Sequence, residues 1–119
     1  MQVEKVYIIK ELAQDFVKDP QIKTTDNNAM LIYEYEGESG DTETKGITFN
    51  DVLASKHTTE MGMEVYMVKA YNAVSVVENS QWSKEFGESI TEQGYKHFIV
   101  YFDDFGAYEF LAKTFEKPE

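Results

Sequence analysis

The chain has 119 residues, and its shares of apolar (42%) and aromatic (14%) residues exclude a disordered chain and predict one globular domain spanning residues 1–119. Its 22 acids outnumber its 11 bases, every base is lysine, and the net charge of −11 argues against nucleic acid or an anionic membrane surface as a partner. Cysteine is absent, which excludes disulfides, thiolate chemistry and cysteine-based metal sites.

The first residues of the chain predict a cytoplasmic protein. Charges interrupt the first apolar stretch, residues 1–7, so it lacks the continuous apolar core of a signal peptide. No apolar run approaches the roughly 18 residues that a transmembrane helix needs.

An amphipathic helix is predicted for residues 3–18. The apolar side chains that follow the spacing of one helical face are Val6, Ile9, Leu12, Ala13, Phe16 and Val17. The helix is expected to end before Pro20, because a proline pushes the residue that precedes it out of the α region.

A β-hairpin is predicted next. Residues 29–36 alternate between apolar and polar side chains, a loop with two glycines covers residues 37–41, and a second strand is expected over residues 44–55. Residues 58–67 fit a strand by the alternation of their methionines and a helix by the propensity of Met and Glu, so both assignments stay open.

A short strand at residues 73–77 precedes a short predicted helix. Ser80 is a favourable N-cap residue, and the helix that begins there is expected to carry Trp82 and Phe86. Trp82 is expected to be mostly buried in the core.

The clearest predicted element is a second hairpin near the end of the chain. Its strands, residues 97–102 and 107–115, are rich in β-forming residues and flank the turn sequence Asp-Asp-Phe-Gly at 103–106. Both faces of the first strand are apolar, as is typical of a central strand. The side chains expected in the core are Phe98, Val100 and Phe102, and those expected on the opposite face are Ile99 and Tyr101. Together these elements predict an α+β fold, in which an N-terminal helix packs on a mostly antiparallel sheet with a C-terminal β-hairpin.

The sequence contains no recognisable catalytic or metal-binding motif. It lacks a Gly-x-Ser-x-Gly nucleophile elbow, and its histidines, His57 and His97, lie outside any metal-ligand spacing. His97 follows Lys96 in a strand pattern and is expected at an edge or on the surface. We therefore expect no enzymatic activity, no cofactor and no bound metal.

Three acids belong to the second hairpin. Asp103 and Asp104 lie in its turn, and Glu109 lies across the hairpin from them, so that three carboxylates are expected to come near one another. Such a cluster suits general-acid chemistry or a hard cation. Aspartate is also a common turn residue, and this simpler explanation is favoured.

Five further acids occur within ten residues that contain no base, and they are Glu34, Glu36, Glu38, Asp41 and Glu43. On a strand, Glu34 and Glu36 point to the same face, and the others line the adjoining loop. The run is either a solvated hairpin tip or a negative surface that steers a basic protein partner by long-range attraction. Together with the three acids of the second hairpin, it forms the predicted partner-binding site.

Three segments of the chain carry a family resemblance. They are residues 47–52 (Ile-Thr-Phe-Asn-Asp-Val), residues 78–82 (Glu-Asn-Ser-Gln-Trp) and residues 96–112, which contain the second hairpin. In this order they resemble small proteins of low-GC bacteria, some of which are similar to immunity proteins of polymorphic toxin systems. The resemblance implies an acidic cytosolic inhibitor of a basic toxin and carries over no catalytic residues.

Two functions follow as hypotheses. The first is a protein-binding module, in the form of an immunity protein that inhibits a basic, nuclease-like toxin. The alternative is a small-molecule-binding or enzymatic module with a cavity between the N-terminal helix and a curved sheet. A filled core with a flat acidic face favours the first, whereas a deep pocket that contains His97 or the Asp103 and Asp104 pair favours the second.

Overall fold

A computed structural model of the chain, which describes residues 1–118, shows two antiparallel β-sheets, with short helices over one face of the larger sheet. Strands account for 51% of the residues and helices for 16%, so the predicted α+β fold is wrong and the fold is mostly β. The strands are β1 (Gln2–Ile8), β2 (Gln21–Thr25), β3 (Asn28–Glu36), β4 (Thr42–Asn50), β5 (Ala54–Thr58), β6 (Ala73–Glu78), β7 (Lys96–Phe102), β8 (Gly106–Ala112) and β9 (Thr114–Glu116). The helices are α1 (Val65–Val68), α2 (Gln81–Glu85) and α3 (Ser89–Glu92), with 3₁₀ helices at Ala13–Asp15 and Glu60–Gly62.

The strands divide into a five-stranded sheet of order β1-β6-β7-β8-β5 and a four-stranded sheet of order β2-β3-β4-β9. Both predicted hairpins, β3–β4 and β7–β8, are confirmed, and β7 lies in the centre of its sheet as predicted. The chain changes sheet three times, between β1 and β2, between β4 and β5, and between β8 and β9, and the last two crossings meet at one corner. At this corner Leu53 N–H donates to the carbonyl of Leu111 (2.7 Å) and Lys113 N–H donates to the carbonyl of Asn50 (3.0 Å). Each of the two longest predicted strands, residues 44–55 and 107–115, is therefore shared between the sheets.

The N-terminal segment forms a strand and a 3₁₀ helix, and the helix predicted for residues 3–18 is wrong. Its β-branched and aromatic residues suit the strand β1, which pairs with β6. Beyond the strand, the side-chain amide of Asn72 donates to the carbonyls of Ile9 (2.9 Å) and Glu11 (3.0 Å) and holds the chain in place. Of the predicted helical face, the buried members are Ile9 and Ala13, and the exposed ones are Val6, Leu12 and Val17.

The main core lies between the two sheets. Phe49 of the four-stranded sheet stacks on Phe110 of the five-stranded sheet, with ring centroids 4.0 Å apart. The predicted core residues Phe98, Val100 and Phe102 are confirmed as buried. Trp82 is mostly buried, as predicted, but it lies on α2 against His97 and not in the main core.

Short helices cover the other face of the five-stranded sheet. Ile99 of β7 packs there against Met67 and Ala70, in and just after α1. The undecided segment, residues 58–67, contributes a 3₁₀ helix and most of α1 to this layer. The predicted cap is confirmed, because Ser83 N–H donates to the Ser80 hydroxyl oxygen (3.0 Å) at the start of α2. None of the helices in the described part of the chain is long and apolar enough to span a membrane.

Candidate functional site

A buried polar network lies between the centre of the five-stranded sheet and the helices that cover it. Glu109 of β8 is completely buried, and its Oε1 accepts hydrogen bonds from the Tyr66 hydroxyl (2.6 Å) and from Nε2 of His97 (2.7 Å). Because a carboxylate only accepts, Nε2 carries the proton of a neutral ring and Nδ1 is then an acceptor. The Ser80 hydroxyl lies 2.6 Å from Nδ1 and donates to it when the ring is neutral.

The hydrogen bonds decide the charge state of this network. Burial disfavours the charged form of Glu109, but hydrogen bonds from His97 and Tyr66 outweigh burial and hold the pKa of this carboxyl below its usual value. Burial and the hydrogen bond to Glu109 raise the pKa of the Tyr66 hydroxyl well above its usual value, so this hydroxyl remains a donor. The carboxylate is therefore ionised at neutral pH.

The second oxygen of Glu109, Oε2, has weaker polar contacts than Oε1. It receives no hydrogen bond within residues 1–118, and Lys56 Nζ lies 3.9 Å away. The same ammonium group lies 4.4 Å from the ring centroid of Trp82, and the edge of that ring meets His97 at a centroid distance of 5.1 Å. Trp82 and Lys56 thus cover the outer side of the network.

Ser80, His97 and Glu109 stand in the order of nucleophile, base and carboxylate that hydrolases use. A groove of about 490 Å³ lies beside them and is lined by Ser80 and His97, with Glu78 and Lys84 also in its wall. Ser80 is only 6% exposed. Its oxygen also accepts the capping hydrogen bond from Ser83.

The network corrects two predictions. His97 is buried and not at an edge or on the surface, and Glu109 is buried, away from the two aspartates of the turn. The hairpin register contains the signal that sequence reasoning missed. His97 pairs with Leu111 and Ile99 pairs with Glu109, so the histidine and the glutamate are diagonal neighbours on one face of the hairpin.

Four of the five acids predicted in the first hairpin are exposed on the surface. Glu34 is half-buried and pairs with Lys18 at 2.5 Å, and it shares a strand face with Glu36, as predicted. Glu43 lies opposite Tyr35 and so belongs to the other face. We call the exposed set, Glu36, Glu38, Asp41 and Glu43, the acidic hairpin tip.

The acidic hairpin tip borders an acidic groove of about 620 Å³, which Glu11 and Asp15 of the N-terminal segment also line. Glu11 is already engaged, because it accepts hydrogen bonds from the Tyr33 hydroxyl (3.1 Å) and from Lys45 Nζ (3.0 Å). The hydrogen bond to Glu11 raises the pKa of Lys45, so this lysine stays positively charged and paired with Glu11. Of the lysines around the hairpin, Lys18 is thus paired with Glu34 and Lys45 with Glu11, whereas Lys10 lies in the wall of the acidic groove.

Asp103 and Asp104 are exposed, and their third carboxylate neighbour is Glu60 in place of Glu109. One oxygen from each lies within 4.8 Å of the others, and we call these three residues the carboxylate trio. Glu60 accepts hydrogen bonds from the Tyr101 hydroxyl (2.9 Å) and from the backbone N–H of Asp104 (2.5 Å), and these bonds lower its pKa. Burial and the bond to Glu60 raise the pKa of Tyr101 to about 12, so the tyrosine stays a donor.

Comparison with known proteins adds no relative from which a function follows. No family model matches the chain, and neither a curated protein nor a solved structure matches it. The resemblance to immunity proteins stays a prediction. Function must therefore be argued from the surfaces and the network described above.

Proposed function

We propose that this protein binds a positively charged protein partner through its exposed carboxylates. The observation that carries the proposal is the acidic hairpin tip: its four carboxylates pair with no base among residues 1–118, and they outnumber the one lysine in the adjoining groove, Lys10. A cluster of unpaired charges of one sign attracts an oppositely charged protein over a long range and raises the association rate.

The resemblance noted above gives this proposal a specific form. In that form the protein is a cytoplasmic immunity protein, and its partner is a basic toxin such as a nuclease. Inhibition of this kind requires a complementary surface and no reaction of its own, and a partner of this charge complements the net charge of −11.

Association kinetics test the proposal. Glu36→Gln with Glu38→Gln is expected to slow association with the partner recovered on immobilised wild-type protein, because two steering charges are lost. The difference should shrink as salt shortens the Debye length to about 8 Å at physiological ionic strength. The measurement is stopped-flow association against salt concentration.

The matched control is Glu85→Gln with Glu88→Gln, which removes two exposed charges at the end of α2 and just before α3. Its association rate should stay close to that of the wild type. Exposed charges contribute only about 0–1 kcal/mol to stability, so both double variants should unfold like the wild type. If the hairpin variant and the wild type gave superimposable rates at every salt concentration, the steering role would be lost.

A second candidate function, hydrolysis of an ester or amide, is favoured by the arrangement of Ser80, His97 and Glu109 beside the 490 Å³ groove. The Ser80 oxygen would attack the carbonyl carbon while its proton passes to Nδ1 of His97. That proton then leaves with the departing alcohol or amine, and water hydrolyses the acyl-serine to release the acid. This candidate ranks second because the hydroxyl is buried and is occupied in capping α2.

Ser80→Ala separates the two functions. If Ser80 is a nucleophile, the wild type should hydrolyse p-nitrophenyl acetate faster than the variant and should be labelled at Ser80 by a fluorophosphonate, as read by mass spectrometry. Loss of the cap costs about 1 kcal/mol, so the variant should remain folded. Equal rates and no labelling would remove the second candidate and leave the proposed binding function intact.

A further inference from the structure

An exposed apolar strip lies in the segment that connects β5 to β6. Met61 is fully exposed, Val65 is 81% exposed and Val68 is 54% exposed. We call these three residues the apolar ridge. Single exposed apolar residues are ordinary, but three within eight residues concentrate exposed apolar surface in one segment.

The helix α1 explains why the apolar ridge faces outward. Its inward side is already used, because Met67 is buried against Ile99 of β7 and the Tyr66 hydroxyl donates a hydrogen bond to Glu109. Val65 and Val68 are three residues apart and therefore lie next to each other on the outer side of the helical turn. These contacts hold α1 on the five-stranded sheet, and its outer side is left uncovered within residues 1–118.

A groove beside the apolar ridge offers space for a side chain. It has a volume of about 580 Å³ and is lined by Met1, Met63 and Val65, with Glu64 and Lys69 also in its wall. Methionine side chains are flexible and polarisable, so they adapt to the shape of a partner. The groove is shallow and adjoins the apolar ridge at Val65, so that it widens the apolar surface there.

The carboxylate trio borders the apolar ridge directly. Glu60 and Met61 are neighbours in the same 3₁₀ helix, and Asp103 and Asp104 are held against Glu60 through its hydrogen bond from the Asp104 backbone. An apolar centre with a charged rim is the usual composition of a protein interface. The sign of the rim is negative here.

We propose that the apolar ridge and its groove are the centre of the docking surface for the basic partner, with the carboxylate trio as its acidic rim. The inference rests on the proposed function and adds the place and the chemistry of contact: an apolar side chain of the partner, flanked by lysine or arginine. A second copy of this chain fits poorly, because it would bring its own carboxylate trio and a net charge of −11 to the contact.

The test uses a synthetic peptide of repeated Lys-Leu-Leu-Lys units and a matched peptide in which serine replaces every leucine. The wild type is expected to bind the leucine peptide more tightly, and its backbone NMR signals at residues 60–68 and 103–104 should shift most. Met61→Ser with Val65→Ser should weaken this binding about tenfold, mainly by faster dissociation. Both side chains are exposed, so the melting temperature should not change.

Two control variants give the result its meaning. Leu53→Ser removes another exposed apolar side chain, which lies at the opposite end of β5 from the apolar ridge, and should leave the affinity unchanged. Asp103→Asn with Asp104→Asn should instead slow association at low salt, and asparagine tolerates the positive φ of Asp104.

Three results would overturn the docking surface. The first is unchanged affinity of the Met61 and Val65 double variant, or NMR shifts confined to the acidic hairpin tip; the proposed function would then stand, with its contact elsewhere. The second is the absence of any binding of the leucine peptide by the wild type, in which case the salt-dependent kinetics of the hairpin variant still test the proposed function separately. The third is self-association of the wild type in sedimentation that the double variant abolishes, which would assign the ridge to a homodimer.

Discussion

Glu109→Ala is expected to lower the free energy of unfolding by about 3–5 kcal/mol, which is the usual cost of removing one partner from a buried charged network. The substitution leaves the Tyr66 hydroxyl and Nε2 of His97 without their acceptor and opens a cavity at the centre of β8. His97 also loses the bond that orients it toward Ser80, so the start of α2 is weakened. Urea denaturation measures the change.

Glu109→Gln is the matched control. The glutamine carbonyl keeps an acceptor at the position of Oε1, so this variant should lose less stability than Glu109→Ala. If the free energy of unfolding of Glu109→Ala fell by less than about 1 kcal/mol, the network would not stabilise the fold.

The pH dependence of the free energy of unfolding, compared between the wild type and Glu109→Gln, supplies a further control. The pKa of Glu109 is lower in the folded state than in the unfolded chain. The stabilisation is therefore complete above the usual pKa of a glutamate, about 4.3, and is lost as the pH falls through the folded pKa. Glu109→Gln should lack this part of the acid destabilisation, so the stability difference between the two proteins should narrow as the pH falls below about 4.3.

The hairpins were predictable because their information is local. The turn between β7 and β8 needs residues that accept a positive φ, and Asp104 (φ 69°) and Gly106 (φ 97°) have that conformation. A Cβ atom at Gly106 would also collide with the carbonyl oxygen of Thr58 in the neighbouring strand. The alternation of β7 then places its aromatic residues correctly on two faces.

The N-terminal segment was wrongly predicted because its partner is far away in the sequence. The three- and four-residue spacing of Ile9, Ala13 and Phe16 is real, and all three contact the main core. These residues follow β1, and the 3₁₀ helix at Ala13–Asp15 brings them to the core without an α-helix. What decides the conformation of β1 is its pairing with β6, which no local pattern contains.

The polar network was missed for a related reason. A histidine and a glutamate in a strand are most often solvated, and each is buried here only because the other compensates it. The register of the predicted hairpin already places His97 and Glu109 on one face. The contacts of Tyr66 and Ser80 with them depend on helices packed over the sheet, which the sequence pattern does not reveal.

Phe98→Ala is expected to cost about 3–5 kcal/mol of stability, the range for a fully buried phenylalanine. The ring is 3% exposed and lies between the sheets, with its centroid 5.7 Å from that of Phe49 and 5.6 Å from that of Phe115. Alanine leaves a void between the two sheets. A strand could close this void only by moving toward the other sheet, which would break its hydrogen bonds to the neighbouring strands of its own sheet.

The matched control for the core variant is Phe86→Ala, which removes the same side chain from a position that is 44% exposed, at the end of α2. It should cost about 1 kcal/mol or less, because less apolar surface is lost and no closed cavity forms. Urea denaturation of both variants gives the two losses, and the slopes with denaturant should match that of the wild type. A loss below about 1 kcal/mol for Phe98→Ala would mean that this ring is not held between the sheets, and the face-to-face packing of β7 on the four-stranded sheet would have to be abandoned.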